Sequence, residues 1–198
     1  MPVILPDRSL IVLDLEVTDL ALAETTKTLP EVIDIGAVKV DSSGEILDEW
    51  SALVRPTRLE NVTAFTTSLT GITVPMLEAA APWTEVWRDF ADFTEFRRGR
   101  LAHWGPSDPS WLQAAYLRSG IGYPHLGQTV DLCSVTWAMA AVIGFKPKKW
   151  SLKEAARRLD VELPKIRHRA LPDARLAWAV ASAAFNLHSE LYDGNDAG

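Results

Sequence analysis

"LIVLDLEVTD", residues 10–19, sets a problem that the rest of the chain has to solve. Leu10, Ile11, Val12, Leu13 and Leu15 form the apolar run of a buried strand, and Asp14 and Glu16 interrupt it at a spacing of two. Successive side chains of a strand point to opposite faces, so both carboxylates leave the same face. Two such charges in apolar surroundings repel each other and are poorly solvated. Either they are protonated or cations hold them, and for groups with a reference pKa of about 4 the cation is the less costly solution. The alternative is a strand whose polar face is wet, so a metal site requires further acids to converge on this one.

Outward from this stretch, residues 32–40 and 45–54 also read as strands, with "DSSG" (41–44) as a hairpin turn between them. Three strands in succession predict an antiparallel meander. The pattern then changes to alternation of helix and strand. Trp83, Val86, Trp87, Phe90, Phe93 and Phe96 share helical spacing, "RLAHW" (100–104) reads as a short strand, and "PSWLQAAYLRSG" as a helix ending at Gly120. A short strand around 128–132, a helix through Ala141, another at 151–159 and a long alanine-rich one from about 170 to 187 follow. The expected fold is α/β: a mixed five-stranded sheet, three antiparallel strands and then parallel ones, flanked by helices. In such a sheet the first strand is central, and Asp14 and Glu16 lie toward its C-terminal end, where open α/β sheets place ligands. The whole chain, 1–198, reads as one domain with a core of about 9–187 and a frayed C-terminal tail.

Composition bounds the partners. The net charge is −6, yet residues 144–178 carry a local balance of +6, leaving −12 for the remainder. One face of an acidic protein can therefore meet a polyanion, with Lys146, Lys148 and Lys149 as the leading contacts. The single cysteine, Cys133, excludes an internal disulfide or a cysteine-rich zinc site and agrees with a reducing compartment, the cytoplasm. No apolar run approaches a membrane span.

Two further segments supply acids. Asp108 follows a predicted strand at the start of a helix, and Asp173 lies in the first turn of the long helix, five residues after His168. Capping and the helix dipole account for an aspartate at either place taken singly. They do not account for His168, nor for four carboxylates on elements able to meet at one sheet edge.

The Asp14-Leu15-Glu16 triplet, "PEVIDIGAV" (30–38), "SLTGIT" (68–73), "WGPSD" (104–108) and "HRALPDA" (168–174) together resemble the DnaQ-like 3′-to-5′ exonucleases with the DEDDh signature, on an RNase H-like fold. The Trp-Gly before the second aspartate resembles the branch that contains histone-mRNA and small-RNA exonucleases. The resemblance implies that Asp14, Glu16, Asp108 and Asp173 ligate two divalent cations, Mg²⁺ or Mn²⁺, and that His168 is the general base. It also implies contacts from Thr18 and Leu69 to the terminal nucleotide of a DNA or RNA strand with a free, single-stranded 3′ end, a homodimer being left open. Chemistry agrees with these roles: phosphodiester hydrolysis needs negative charge stabilised on the attacking and leaving oxygens, which paired hard cations on carboxylates provide, and a proton acceptor that works near neutrality, which imidazole provides. This sequence departs from the pattern at Asp19, a negative charge where relatives have glycine, and at Ser107, where some relatives have an aromatic stacking residue; Phe65 or Trp104 would have to stack instead.

Two rival readings remain. "DLEVT" vaguely resembles the nucleophile motif of haloacid-dehalogenase-type phosphatases, but its second acid is glutamate and His168 would be idle. A non-catalytic nucleic-acid-binding module of the same fold is expected to have lost a ligand or the histidine, and all five are present.

Overall fold

The computed structural model describes residues 9–95, 100–120, 129–146, 150–166 and 168–193. The meander is present: β1 (Leu10–Val17), β2 (Val32–Val40) and β3 (Ile46–Arg55) are joined antiparallel, with α1 (Leu20–Thr26) between the first two. Asp41 closes the β2–β3 hairpin by accepting the backbone N–H groups of Ser43 and Glu45, and Gly44 takes the left-handed conformation the turn requires, at φ +92°. After a 3₁₀ turn at Leu59–Asn61 come α2 (Ala64–Thr70), α3 (Val74–Glu78), β4 (Ala81–Pro82) and α4 (Trp83–Thr94). Next are β5 (Arg100–His103), α5 (Ser107–Ser119), β6 (Val130–Asp131), α6 (Leu132–Val142), α7 (Leu152–Arg158) and α8 (Ala170–Asp193).

Among the described residues the sheet has six strands in the order β4-β3-β2-β1-β5-β6, one more than the sequence predicts. The extra strand, β4, is two residues long and pairs parallel with Val54 and Arg55 of β3, too short for any alternation to show. The parallel half is as expected, β5 against β1 and β6 against β5. The short helices α1, α2 and α3, of five to seven residues, escape the sequence reading for the same reason.

The register of β1 resolves the contradiction in its sequence. Ile11, Leu13, Leu15 and Val17 point into a core closed by α4 and α5, where Val86, Trp87, Phe90, Leu112 and Tyr116 pack. Leu10 and Val12 point the other way, into a second core with Val38, Val40, Ala177, Trp178 and Ala181. Asp14 and Glu16 continue that second face, half-buried, alongside the first turn of α8. The strand is apolar on both faces at its start and on one face only at its end.

Contact between α8 and the sheet is unusually close at one place. A Cβ on Gly36 would lie 2.0 Å from the backbone nitrogen of Leu171 and 2.2 Å from the carbonyl carbon of Ala170. Gly36 is the register partner of Asp14. Only glycine lets the first turn of α8, with Asp173, rest on β2 directly beside the acidic end of β1.

The tryptophans are chiefly packing residues, as their helical spacing predicts. Trp83 stacks on Trp87 with centroids 5.8 Å apart, both abut Tyr116, and Trp178 is buried with its indole N–H on the carbonyl of Gly44 at 3.0 Å.

Candidate active site

Three separate segments bring their acids to one edge. Asp14 and Glu16 come from the end of β1. Asp108 is the second residue of α5, and its position follows from a divergence in the sheet: β5 pairs with β1 only from Leu10 to Val12, whereas β1 runs on to Val17. Beyond the divergence the N–H of Leu15 is taken by the buried Asp108 carboxylate, which also accepts its own N–H. Asp173 lies in the first turn of α8, where the helix dipole favours an acid, and its Oδ2 accepts the backbone N–H of His168 at 3.0 Å. Side-chain donor atoms of Glu16, His168 and Asp173 all lie within 4.8 Å of one another.

Electrostatics shows the cost of this convergence. Burial first, and then the charges of Asp108, Glu16, Asp173 and Asp34, hold the Asp14 carboxyl well above the usual range. Glu16 is pushed up to about 8 by burial and by Asp173, Asp34 and Asp108, with Arg169 opposing. Asp108 is pushed up to about 7 by burial, against its two backbone hydrogen bonds. A carboxyl whose folded pKa is raised holds its proton better folded than unfolded. Its contribution therefore favours folding at low pH and fades as pH rises from the unfolded value of about 4 toward 7 and 8. The melting temperature of the metal-free protein in EDTA is accordingly expected to fall between pH 5 and 8, by about 2–4 °C for each kcal/mol lost in a chain of this size. Added Mn²⁺ is expected to restore it more at pH 8 than at pH 5, where protons compete for the same oxygens. A flat calorimetric profile across that range would show that the carboxyls are not strained.

Two further residues support the site from beneath. Asp34, register partner of Glu16, is almost fully buried; its Oδ2 accepts Arg169 Nε at 2.7 Å and the N–H of Ala170 at 3.2 Å. This ties the segment preceding α8 to β2, next to His168, whose backbone is left-handed at φ +57°. Asp34 and Arg169 stand inside two of the motifs quoted above, where their spacing gave no sign that they pair.

The residues expected to contact nucleotide are distributed unevenly. Leu69 is 40 % and Phe65 64 % exposed, one turn apart on a single face of α2. Thr18 is instead buried, and its hydroxyl accepts the N–H of Glu31 at 2.9 Å. Asp19 spends its charge locally: it caps α1 through Ala21 and Leu22 and accepts the Thr63 hydroxyl at 2.6 Å, which anchors the start of α2. Trp104 is half-buried against two core clusters, and Ser107 is exposed. Lys146 is exposed, whereas Lys148 and Lys149 lie outside the described residues. Within the basic segment Arg158 pairs with Glu154, Arg169 with Asp34 and Arg175 with Glu49, so part of its excess charge is neutralised within the fold.

The donor set fits hard divalent cations. Four carboxylates converge, three of them with raised proton affinity, and cations would relieve the repulsion that otherwise requires protons. Asp14, Glu16, Asp108 and Asp173 would hold them.

Comparison with known proteins agrees with this arrangement. The model of the RNase T exonuclease family matches residues 11–181. The PolC-type DNA polymerase III of Thermotoga maritima is 32 % identical over 170 residues, and that of Bacillus subtilis 29 % over the same length; each alignment covers 86 % of this chain and 11 % of the polymerase. The chain thus spans about a tenth of the length of these relatives. Among solved structures, the nuclease domain of 3′hExo bound to rAMP superposes with a TM-score of 0.77 at 19 % identity, covering 90 % of this chain and 92 % of that one. Cell-death related nuclease 4 superposes with a TM-score of 0.79 at 19 % identity, covering 92 % and 65 %. The haloacid-dehalogenase-type reading gains nothing from these matches. With the acids of "DLE", "WGPSD" and "HRALPDA" gathered at one sheet edge and the family model spanning them all, the chain belongs to the exonuclease family, on an RNase H-like fold.

Proposed function

We propose that this chain, as a single exonuclease domain, removes nucleoside 5′-monophosphates one at a time from the 3′ end of a single-stranded DNA or RNA. The observation that carries the reading is the convergence of Asp14, Glu16, Asp108 and Asp173 from three segments, with His168 within 4.8 Å of two of them. When bound, two Mg²⁺ or Mn²⁺ ions would supply Lewis-acid stabilisation of the attacking and leaving oxygens. His168 accepts the proton of the attacking water, and its backbone N–H, held by Asp173, fixes where the ring stands. Phe65 and Leu69 offer the apolar face on which a terminal base rests, since base stacking on an exposed aromatic is worth about 1–3 kcal/mol. Lys146, Lys148 and Lys149 would add phosphate contacts to a longer strand.

The test is a digestion of 5′-labelled single strands of DNA and RNA, with Mg²⁺, Mn²⁺ or EDTA. A ladder of shortening products, nucleoside 5′-monophosphates as the released species and complete inhibition by EDTA are expected. Cleavage of a circular single strand would indicate an endonuclease, and binding without any hydrolysis would leave the non-catalytic reading.

A further inference from the structure

Both backbone groups of Gly105 are held by a part-buried polar cluster between the ends of β5 and β6. Its N–H donates to Asp131 Oδ1 at 2.9 Å, and its carbonyl accepts from His103 Nδ1 at 2.5 Å. A carbonyl can only accept, so His103 carries its proton on Nδ1; Nε2 then accepts the Thr129 hydroxyl, at 3.1 Å. Asp131 is fully engaged as well: Oδ1 also accepts the N–H of Cys133 at 3.0 Å, and Oδ2 accepts the Ser134 hydroxyl at 2.6 Å. His103 and Asp131 are register partners on neighbouring strands, so they grip Gly105 from both sides. Gly105 itself is in the left-handed region, at φ +83°.

What this grip controls is the path into α5. The chain leaves β5 at His103, turns at Gly105, passes Pro106 and starts α5 at Ser107, with Asp108 next. Asp108 is three residues from the clamped glycine, and its carboxylate must reach the N–H of Leu15 across the divergence of β1 and β5. His103 shows no such role in the sequence, where it lacks a partner at ligand spacing. Asp131, near a strand end in the sequence, reads there as a candidate support for the site or, at least equally, as a turn or helix cap.

We propose that His103 and Asp131 are positioning residues for Asp108: by fixing Gly105 they set the direction in which α5 departs, and so the place of the Asp108 carboxylate among the other three. This rests on the reading of Asp108 as a cation-holding group. Residues that orient ligands without touching the ion are typically worth 10–100-fold in metal affinity.

The test separates this role from simple helix capping. Asp131→Ser keeps a short oxygen that caps α6 but cannot reach the Gly105 N–H. Asp131→Asn keeps one oxygen to accept the Gly105 and Cys133 N–H groups and turns the other into an amide donor toward the Ser134 hydroxyl. Isothermal titration of Mn²⁺ into each folded variant is expected to show Asp131→Ser weakened by about 10–100-fold, and Asp131→Asn close to the parent chain. The Mn²⁺ concentration for half-maximal exonuclease activity is expected to shift with the affinity. A second arm does not depend on the cap: His103→Asn places an amide N–H near the Nδ1 position and is expected to retain Mn²⁺ binding, whereas His103→Gln reaches Thr129 but not Gly105 and is expected to lose it. Parent-like Mn²⁺ binding in both Asp131→Ser and His103→Gln, or equal loss in each conservative partner, overturns the proposal. Asp108→Asn is the reference: if it too leaves Mn²⁺ binding unchanged, the reading of the carboxylate site has failed and not the clamp alone.

Discussion

Asp14→Asn is expected to abolish exonuclease activity, with a loss on the order of 10³ or more, equivalent to about 4 kcal/mol of transition-state stabilisation, and at the same time to raise the melting temperature of the metal-free protein. The two effects have one cause. Half-buried Asp14 faces the charges of Asp108, Glu16, Asp173 and Asp34, so the metal-free fold disfavours its ionisation. An amide of the same shape removes that repulsion and, with it, an anionic ligand that the cations need. The stabilisation carries a sign that can be checked. Because the folded pKa of Asp14 is raised, the parent loses stability as pH rises through the range in which the carboxyl ionises, while asparagine does not titrate. The gain in melting temperature, measured by calorimetry in EDTA, should therefore be larger at pH 8 than at pH 5. Retention of full activity would remove Asp14 from the reaction, and a lowered melting temperature at pH 8 would mean that the charged carboxylate stabilises the fold.

A destabilised acidic cluster is also the part of the molecule that its sequence shows most openly. Asp14 and Glu16 stand out because an apolar strand does not otherwise carry such residues, and His168 stands out because capping does not need it. The meander was equally legible, since its strands run apolar or alternate over eight to ten residues and its hairpin is closed by the chemistry of Asp41 and Gly44. Shorter elements were not. A two-residue strand such as β4 has no period, and α1 to α3, at five to seven residues, are too short to show one even though Asp19 and Thr63 cap the first two locally. The supporting residues were hidden for a different reason. Asp34 and Arg169 are 135 positions apart, and His103 and Asp131 acquire their meaning only because β5 and β6 lie side by side. Gly36 reads as an ordinary strand residue until the backbone of Leu171 is placed on it. Thr18, which the resemblance assigns to nucleotide contact, has its hydroxyl at the joint with Glu31, a pairing 13 residues away that no local pattern shows.

His168 is the residue on which the chemical assignment depends, because its position admits two roles. Its ring lies within 4.8 Å of the donor atoms of Glu16 and Asp173, close enough to serve as a cation ligand as well as a base. Two features favour the base. Its side chain is exposed at the edge of the cluster, and its backbone, at φ +57° with its N–H on Asp173, is fixed independently of any ion. Hydrolysis also needs a proton acceptor, and carboxylates engaged by cations are poor ones. His168→Ala is therefore expected to lower turnover by about 10²–10⁴, the usual worth of a positioned acid or base, while Mn²⁺ affinity by isothermal titration stays close to that of the parent. His168→Gln, which can hold a water but not accept its proton, should be nearly as slow. Loss of Mn²⁺ binding in His168→Ala as severe as that in Asp14→Asn would make the histidine a ligand, and the proton of the attacking water would then have to leave by another route.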